Sequence, residues 1–254
     1  MIADRLVLED AQLESALGRT SPVLKLIVAL VWLIGLALTL SPWPPLLLTA
    51  VAVAAALTIG GITPGRLARA LAPLWIAAFG VALFNMLFST SNGDPTATVF
   101  VQVGFIRITT EAVANGIALA LRVIAIAAVG ATFTLTTEPT RLADALVQQA
   151  HVSPRFAYGA LAAYGAIPRF AEDLATLRQA RRIRGLRGDW HPRLLIGLLV
   201  LAIRHGDRMA LSMDTRGFGS GPRTAYRIVR WGWLDLVVGL AAVGTLVVAL
   251  SLGR

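Results

Sequence analysis

Residues 112–135 read AVANGIALALRVIAIAAVGATFTL, a stretch in which only Asn115, Arg122 and two threonines are polar. A helix needs about 20 residues to cross the roughly 30 Å hydrocarbon core of a bilayer. This stretch exceeds that length, and so long an apolar run is typical of a transmembrane helix. It therefore predicts an integral membrane protein.

Four further apolar runs accompany this stretch. They cover residues 22–40, 46–59, 71–88 and 233–252. The second run must include Pro44 and Pro45 to approach spanning length. Residues 158–167 and 194–203 are also apolar, but they are short enough to be either partial spans or buried helices. We predict an all-α polytopic membrane protein with five to six transmembrane helices and additional amphipathic helices in the cytoplasm. The expected regions are a four-span part (1–135), a basic coupling-helix part (136–230) and a C-terminal span (231–254).

The composition of the 254-residue chain favours the same class. Hydrophobic residues make up 56% and charged residues 15%, and the mean hydropathy is +0.71. A soluble domain carries about 25% charged residues, so an ordinary soluble protein is excluded. The absence of cysteine excludes a disulfide framework, a thiolate nucleophile and a zinc site with sulfur ligands.

The net charge of +9 resides in one stretch, which we call the basic block. Between Pro139 and Arg230 there are fifteen arginines and six acidic residues, and the rest of the chain is neutral on balance. Since basic loops of membrane proteins stay in the cytoplasm, we expect the N-terminus and the basic block on the cytoplasmic side of the cell membrane. The loop around residues 92–95 would then lie outside, followed by a small hairpin that turns near Gly104. Nucleic-acid binding is the other interpretation of so basic a chain, and the apolar composition favours the lipid bilayer over nucleic acid.

Three polar side chains fall inside the predicted spans, where polar groups are costly and therefore often functional. Asn85 and Asn115 could cross-link helices by hydrogen bonds. Arg122 could pair with Glu111 at the outer interface, or it could extend toward the nearer membrane surface. These two interpretations of Arg122 stay open at this stage.

Motifs of catalysis are missing from the sequence. His151, His191 and His205 have no spacing typical of metal ligands, and we expect them at surfaces or interfaces. There is no phosphate-binding GxxxxGK[ST] loop and no GxSxG nucleophile elbow. We therefore expect a chain without catalytic residues and without a bound metal.

Two segments of the basic block repeat one pattern. Each ends in Arg-Gly and an apolar residue, namely Leu177-x-x-x-Arg181-x-x-Arg184-Gly185-Leu186 and Met209-x-x-x-Met213-x-x-Arg216-Gly217-Phe218. On a helix, steps of four and three residues return to one face, so each last arginine continues a mostly apolar stripe that includes Leu174 in the first segment. Gly185 and Gly217 suit the left-handed position just past a helix C-terminus.

Two amphipathic helices tipped by arginine suit two equivalent acidic pockets on a partner. The planar guanidinium holds carboxylates or carbonyls in a fixed geometry even when it is partly desolvated. The alternative is that both helices lie on anionic lipid headgroups, and the spacing by itself favours that alternative.

The twin Arg-Gly ends resemble the paired Ala-Arg-Gly signatures of the transmembrane T component of energy-coupling factor (ECF) transporters. Further motifs resemble this family in the same order along the chain. They are Pro22-x-x-Lys25-Leu26 before the first span, Gly104-x-x-x-Ile108-Thr109 and Leu121-Arg122 around the central span, Thr136-Thr137-x-Pro139-x-x-Leu142-x-x-Ala145-Leu146 at the first coupling segment, and Ile167-Pro168-Arg169-Phe170 before the first signature. Ile183 and Thr215 depart from the pattern, because the family usually has alanine there.

This resemblance implies a non-catalytic subunit of a vitamin or transition-metal importer. Its partners would be two ABC-type ATPases, which bind ATP and magnesium, and a small membrane S component, which binds the substrate. Arg184 and Arg216 would each enter a groove on one ATPase, supported by Gly185, Gly217, Arg181 and Met213. The coupling helices would include Pro139, Leu142, Leu146, Leu174, Leu177 and Met209.

Two other functions compete with the coupling subunit. A stand-alone channel or carrier would need polar residues along an intramembrane route, for which only Asn85, Asn115 and Arg122 are available. A membrane-surface scaffold would bind anionic lipid or polynucleotide in a salt-dependent way without any ATPase.

Overall fold

A computed structural model describes residues 15–39, 41–93, 97–103, 106–186, 188, 190–221 and 224–253. These residues divide into two compact units. The coupling unit is Pro139–Val229, and the membrane unit comprises the described residues before Pro139 together with those from Arg230 onward. Asp94, Pro95 and Gly104 belong to the sequence predictions but lie outside the described residues.

Helices dominate both units. In chain order they are α1 (Ala16–Arg19), α2 (Pro22–Ala37), α3 (Trp43–Thr58), α4 (Pro64–Phe88), α5 (Thr110–Thr136), α6 (Pro139–Gln148), α7 (Pro154–Ile183), α8 (Pro192–Thr215) and α9 (Trp233–Leu252), with a 3₁₀ turn at Thr90–Gly93. The strands β1 (Val99–Val103) and β2 (Ile106–Thr109) pair antiparallel just before α5, in the segment where the sequence predicts a hairpin. The all-α membrane fold predicted from the sequence is confirmed, with this hairpin as its β-element in the described part of the chain.

Three helices of the described chain, α4, α5 and α9, are long and apolar enough to cross a membrane. The apolar helices α2 and α3 are shorter, with 16 residues each. Helix α3 does include Pro44 and Pro45, since both lie in its first turn, where a missing N–H costs nothing. Helix α4 begins seven positions before the apolar run that predicted it. Arg66 and Arg69 lie in its first two turns, so the apolar run starts later than the helix does. Residues 158–167 and 194–203 are segments of the longer helices α7 and α8.

Small side chains form much of the core of the membrane unit. The main cluster joins Trp32, Leu36 and Leu48 to five alanines, and the Trp32 indole donates to the carbonyl of Ala242 at 3.0 Å. A side chain added at Gly116 would collide with Met86 and the carbonyl of Ala82, so α4 and α5 approach closely there. Small residues at helix contacts are a usual means of close packing in membranes.

Two buried charges tie helix ends together at one edge of the membrane unit. The Lys25 ammonium donates to the carbonyl of Thr136 at 2.7 Å, at the C-terminus of α5. The Asp235 carboxylate accepts from the backbone N–H of Ser21 at 2.7 Å and from that of Gly232 at 2.8 Å. Lys25 lies at a helix C-terminus and Asp235 at helix N-termini. Each charge is thus favourably placed relative to the helix dipole.

Candidate functional site

The site of the two signature segments is an antiparallel pair of helices in the coupling unit. Leu177 of α7 lies against Gly197 of α8, and the rings of Phe170 and His205 meet at 6.2 Å. Contacts that move backward along α8 as they move forward along α7 define an antiparallel arrangement. The two helices therefore end in opposite directions.

Both helices end in the same type of turn. After α7, the N–H of Gly185 bonds to the carbonyl of Arg182 at 3.0 Å, and the N–H of Leu186 bonds to that of Arg181 at 3.2 Å. Gly185 has a φ of 72°, which is the left-handed region. This pair of hydrogen bonds defines the Schellman motif, and the glycine lies at the position that the sequence predicts.

The turn after α8 repeats that geometry. The N–H of Gly217 bonds to the carbonyl of Asp214 at 2.9 Å, and the N–H of Phe218 bonds to that of Met213 at 2.9 Å. Gly217 has a φ of 65°. Arg181 and Met213 thus occupy equivalent places, because each supplies the carbonyl that closes the wider hydrogen-bonded ring of its turn.

Arg184 and Arg216 are the cap residues of these two turns, and both are exposed. With the observed pairing of α7 and α8, the two arginines are separated by about 40 Å along the helix axes, at a rise of 1.5 Å per residue. Ile183 and Thr215, which replace the small residue of the signature, are exposed as well. The coupling unit therefore presents one arginine at each end of the helix pair.

The apolar stripes that lead to the arginines are half-buried. They contain the predicted residues Phe170, Leu174, Leu177 and Arg181 on α7, and Met209 and Met213 on α8. The contacts of Phe170 and Leu177 with α8 show that the first stripe faces the partner helix. Arg184 is thereby joined to a helix face that packs against α8.

The turn after α8 is braced by the start of α7. The ring of Phe218 packs edge-on against Tyr158, with centroids 6.4 Å apart, and the Arg155 guanidinium donates to the carbonyl of Gly219 at 3.1 Å. Gly219 has a φ of 81°, and a Cβ there would lie 2.2 Å from Arg155 Nε. Only glycine fits this position without displacing the arginine.

A short hydrogen-bonded pair extends this brace to α6. The Tyr158 hydroxyl donates to Asp144 at 2.7 Å. Burial, and after it the hydrogen bond and the charge of Asp144, raise the pKa of Tyr158 to about 12. The phenol therefore stays a hydrogen-bond donor at all physiological pH values.

Helix α6 contains the predicted residues Pro139, Leu142 and Leu146. Pro139 is its first residue, and the two leucines are half-buried. Its last residue, Gln148, holds the segment that follows the braced turn, since its amide donates to the carbonyl of Arg227 at 2.7 Å and accepts from the N–H of Val229 at 2.9 Å. Sequence reasoning missed Gln148, Tyr158, Asp144 and Arg155, because their partners lie far away along the chain or on another element.

The three polar residues of the predicted spans have different surroundings. Asn85 donates to the carbonyl of Val81 in its own helix at 3.0 Å, so it does not link two helices through this bond. Asn115 is exposed, and Arg122 is half-buried. Arg122 and Glu111 lie on one helix about 16 Å apart along its axis, which is too far for an ion pair, one of the two interpretations of Arg122 that the sequence leaves open.

The histidines lie where surface or interface residues are expected. His151 is exposed in the turn between α6 and α7, with a φ of 53°. His191 caps the start of α8 by accepting from the N–H of Arg193 at 3.1 Å, and His205 packs on Phe170. Within the described ranges, no three metal-ligating side chains converge.

Comparisons with known proteins give one consistent result. The family model described as CbiQ, cobalt transport protein, matches residues 14–246. Two similar curated proteins are both described as the energy-coupling factor transporter transmembrane protein EcfT. The one from Lacticaseibacillus paracasei is 30% identical over 92% of each chain, and the one from Lactococcus lactis subsp. cremoris is 27% identical over 94% of each chain.

Proposed function

The chain belongs to the CbiQ family and is a transmembrane component of the energy-coupling factor type, and on this premise we propose that it couples ATPase motion to substrate release in an importer. The importer would take up a vitamin or a transition-metal ion. Two ABC-type ATPase subunits would bind ATP and magnesium, and a small membrane S subunit would bind the substrate. The chain itself would carry no catalytic residue and no cofactor.

The observation that carries this proposal is the duplicated arginine tip. Two identical turns at opposite ends of one antiparallel helix pair suit two copies of the same partner, each receiving one arginine. We assign Arg184 to a groove on one ATPase and Arg216 to the equivalent groove on the other. A guanidinium suits this role because its fork can bind several acceptors at once in a partly desolvated groove.

Lipid headgroups offer a weaker explanation of the same geometry. A helix that lies on a bilayer needs basic residues along its length, and it has no need of a matched turn at its end. Both glycines adopt the left-handed conformation, and both arginines take the cap position. Duplicated local structure of this kind favours recognition by a shaped protein surface.

An apolar face of α8 suits contact with the membrane S subunit. Large side chains on this face are between 44% and 64% exposed, and they are Leu195, Ile196, Leu199, Val200 and Ile203. Exposed apolar surface of this extent marks an interaction site or a membrane contact. When the ATPases close around the arginine tips, the helix pair would move as a lever and displace the S subunit against this face.

We place the protein in the cell membrane, with the N-terminus and the coupling unit on the cytoplasmic side. The excess of arginine in residues 139–230 supports this orientation, because translocation of basic segments is disfavoured. The ATPases are cytoplasmic in this arrangement, so both arginine tips would be within their reach.

The test replaces both tips by residues of opposite charge. The double variant Arg184→Glu, Arg216→Glu is co-expressed with the ATPase and S subunits, and the membrane complex is purified in mild detergent. The matched control is Arg169→Glu, Arg208→Glu, which makes the same charge change at exposed positions within the same two helices. We expect the tip variant to insert into the membrane but lose the ATPases, while the control keeps them. Equal ATPase recovery from both variants would contradict the proposal.

A further inference from the structure

One face of α5 carries polar groups through half of the membrane. Glu111, Asn115, Ala118 and Arg122 follow each other at steps of four, three and four, which return to the same side of a helix. Glu111 and Asn115 are exposed, and Ala118 and Arg122 are half-buried. A different face of α5, which includes Gly116, packs against α4. The polar face is therefore not the contact between these two spans.

Arg122 lies near the middle of the span. It is the thirteenth residue of a helix of 27, so about 18 Å of helix precede it and about 21 Å follow it. With the roughly 30 Å hydrocarbon core centred on this helix, about 13 Å separate Arg122 from the nearer surface, which exceeds the reach of an arginine side chain. Extension toward lipid phosphates, the second of the two interpretations from the sequence, is thus disfavoured.

The described helices of the membrane unit offer Arg122 no carboxylate near the middle of the span. Helices α2, α3 and α4 contain no acidic residue, and those of α5 and α9, Glu111 and Asp235, lie in the first turn of their helices. Asp235 is already bonded to Ser21 and Gly232. The Nε of Arg122 is buried and has no hydrogen-bond partner in the described chain. A cation without an acceptor in hydrocarbon is costly. Because Nε is enclosed by this chain, an acceptor on another molecule would bind the terminal nitrogens of the half-buried Arg122 side chain.

We propose that this face of α5 binds a transmembrane helix of the S subunit, and that this helix presents a carboxylate to Arg122 at mid-membrane depth. The small residues Ala114 and Ala118 flank the arginine on its N-terminal side, toward which helical side chains lean, and they allow a second helix to approach closely. Asn115 supplies a further hydrogen bond to the same helix. The identity of the partner rests on the proposed function, whereas the need for an intramembrane acid rests on Arg122 alone.

Other occupants of this face are less suitable. In a second copy of this chain, the described helices of the membrane unit offer no carboxylate near the middle of the span either. A water-filled path would satisfy Arg122 without any protein partner, and it would make this face a route for solutes. These occupants are outcomes of the test.

The first experiment maps the neighbour of the face in the assembled complex. A photo-crosslinking amino acid is placed at Ala118, and in a matched control at Ile117, which is 45% exposed on a different side of α5. We expect Ala118 to yield an adduct with a transmembrane peptide of the S subunit that contains Asp or Glu, and Ile117 to label lipid. Adducts of Ala118 with lipid alone or with a second copy of this chain would overturn the proposal.

A second experiment tests the charge. Arg122→Gln should reduce the recovered S subunit about tenfold, the size of effect that one strong intramembrane polar contact produces. Arg122→Asp combined with arginine at the mapped acid should restore recovery, and failure of this exchange would count against the pair. Asn115→Cys is a single cysteine in a chain that has none, and its rapid labelling by a water-soluble thiol reagent in the complex would indicate a water path instead.

The two proposals fail in different ways. ATPase recovery depends on Arg184 and Arg216, and S-subunit recovery depends on Arg122. Loss of the ATPases from every Arg122 variant would show that these variants are misfolded, and the adduct formed at Ala118 in the complex with Arg122 unchanged would then decide the proposal. With the ATPases retained and the S subunit unaffected, the inference about α5 is wrong and the proposed function stands.

Discussion

Replacing Asp235 should destabilise the membrane unit more than any other single change at the edge where the helix ends meet. Its carboxylate is 5% exposed and accepts two backbone N–H groups, from Ser21 at 2.7 Å and from Gly232 at 2.8 Å. The first bond joins α9 to the start of α2 across 214 positions of sequence. Asp235→Ala removes both bonds and leaves two backbone donors without an acceptor.

The magnitude follows from the two bonds. A hydrogen bond to a charged group contributes about 1.5–3 kcal/mol, and removal of the buried charge recovers part of the loss. We therefore expect Asp235→Ala to lower the free energy of unfolding by about 3 kcal/mol. Asp235→Asn keeps one acceptor oxygen but turns an N–H₂ group toward a donor, so its loss should be about 2 kcal/mol.

The assay is thermal unfolding of the purified protein in detergent. At roughly 2–4 °C per kcal/mol for a chain of this size, Asp235→Ala should lower the Tm by about 6–12 °C. The matched control is Ser251→Ala, which removes an exposed hydroxyl bond to Val248 from the same helix. A difference of 1 °C in Tm corresponds to about one third of a kcal/mol. If the Asp235 variants unfold within about 1 °C of this control, the reasoning is refuted.

Three further predictions concern single side chains. Lys25→Met leaves the Thr136 carbonyl without its buried donor and should cost about 1–3 kcal/mol, measured as a lower Tm. Gly219→Ala should displace Arg155 and make the braced turn more sensitive to limited proteolysis. The Tyr158 phenol, whose pKa is raised to about 12 from 10.0, contributes stability that is complete below pH 10 and is lost as the pH rises through 12. Tyr158→Phe should remove this pH dependence from the free energy of unfolding, measured between pH 10 and pH 12.

Each of these predictions has a control in the same element. Leu24→Met changes the neighbour of Lys25 without removing a charge. Gly221→Ala adds a methyl group where nothing lies within 4 Å. Tyr164→Phe removes another hydroxyl from α7. A substituted residue that behaves like its control would contradict the corresponding prediction.

The sequence predicted the helices best where hydropathy decides their limits. The C-terminal span runs over residues 233–252 as predicted, because glycine precedes it and glycine follows it. The start of α4 was predicted too late, since Arg66 and Arg69 interrupt the apolar run without interrupting the helix. Hydropathy measures how a residue partitions into lipid. It therefore does not mark the end of a helix that continues beyond the hydrocarbon core.

The candidate site was predictable only where its geometry is local. Gly185 and Gly217 mark the helix ends because a left-handed residue there is easiest for glycine, and this depends on a few neighbouring positions. The antiparallel pairing of α7 with α8, and the brace formed by Tyr158 and Arg155, depend on contacts between distant segments. A single sequence carries no signal for such a register, and the same limit applies to the bond between Asp235 and Ser21.

The most direct test of the coupling role asks what lies next to the two arginines in the intact complex. Single cysteines replace Ile183, which is 87% exposed, and Thr215, which is also exposed, and each is labelled with a photoactivated crosslinker. The account predicts that both positions form adducts with an ATPase subunit, one copy at each end of the helix pair. Adducts with lipid alone from both positions, in a complex that still contains the ATPases, would contradict it.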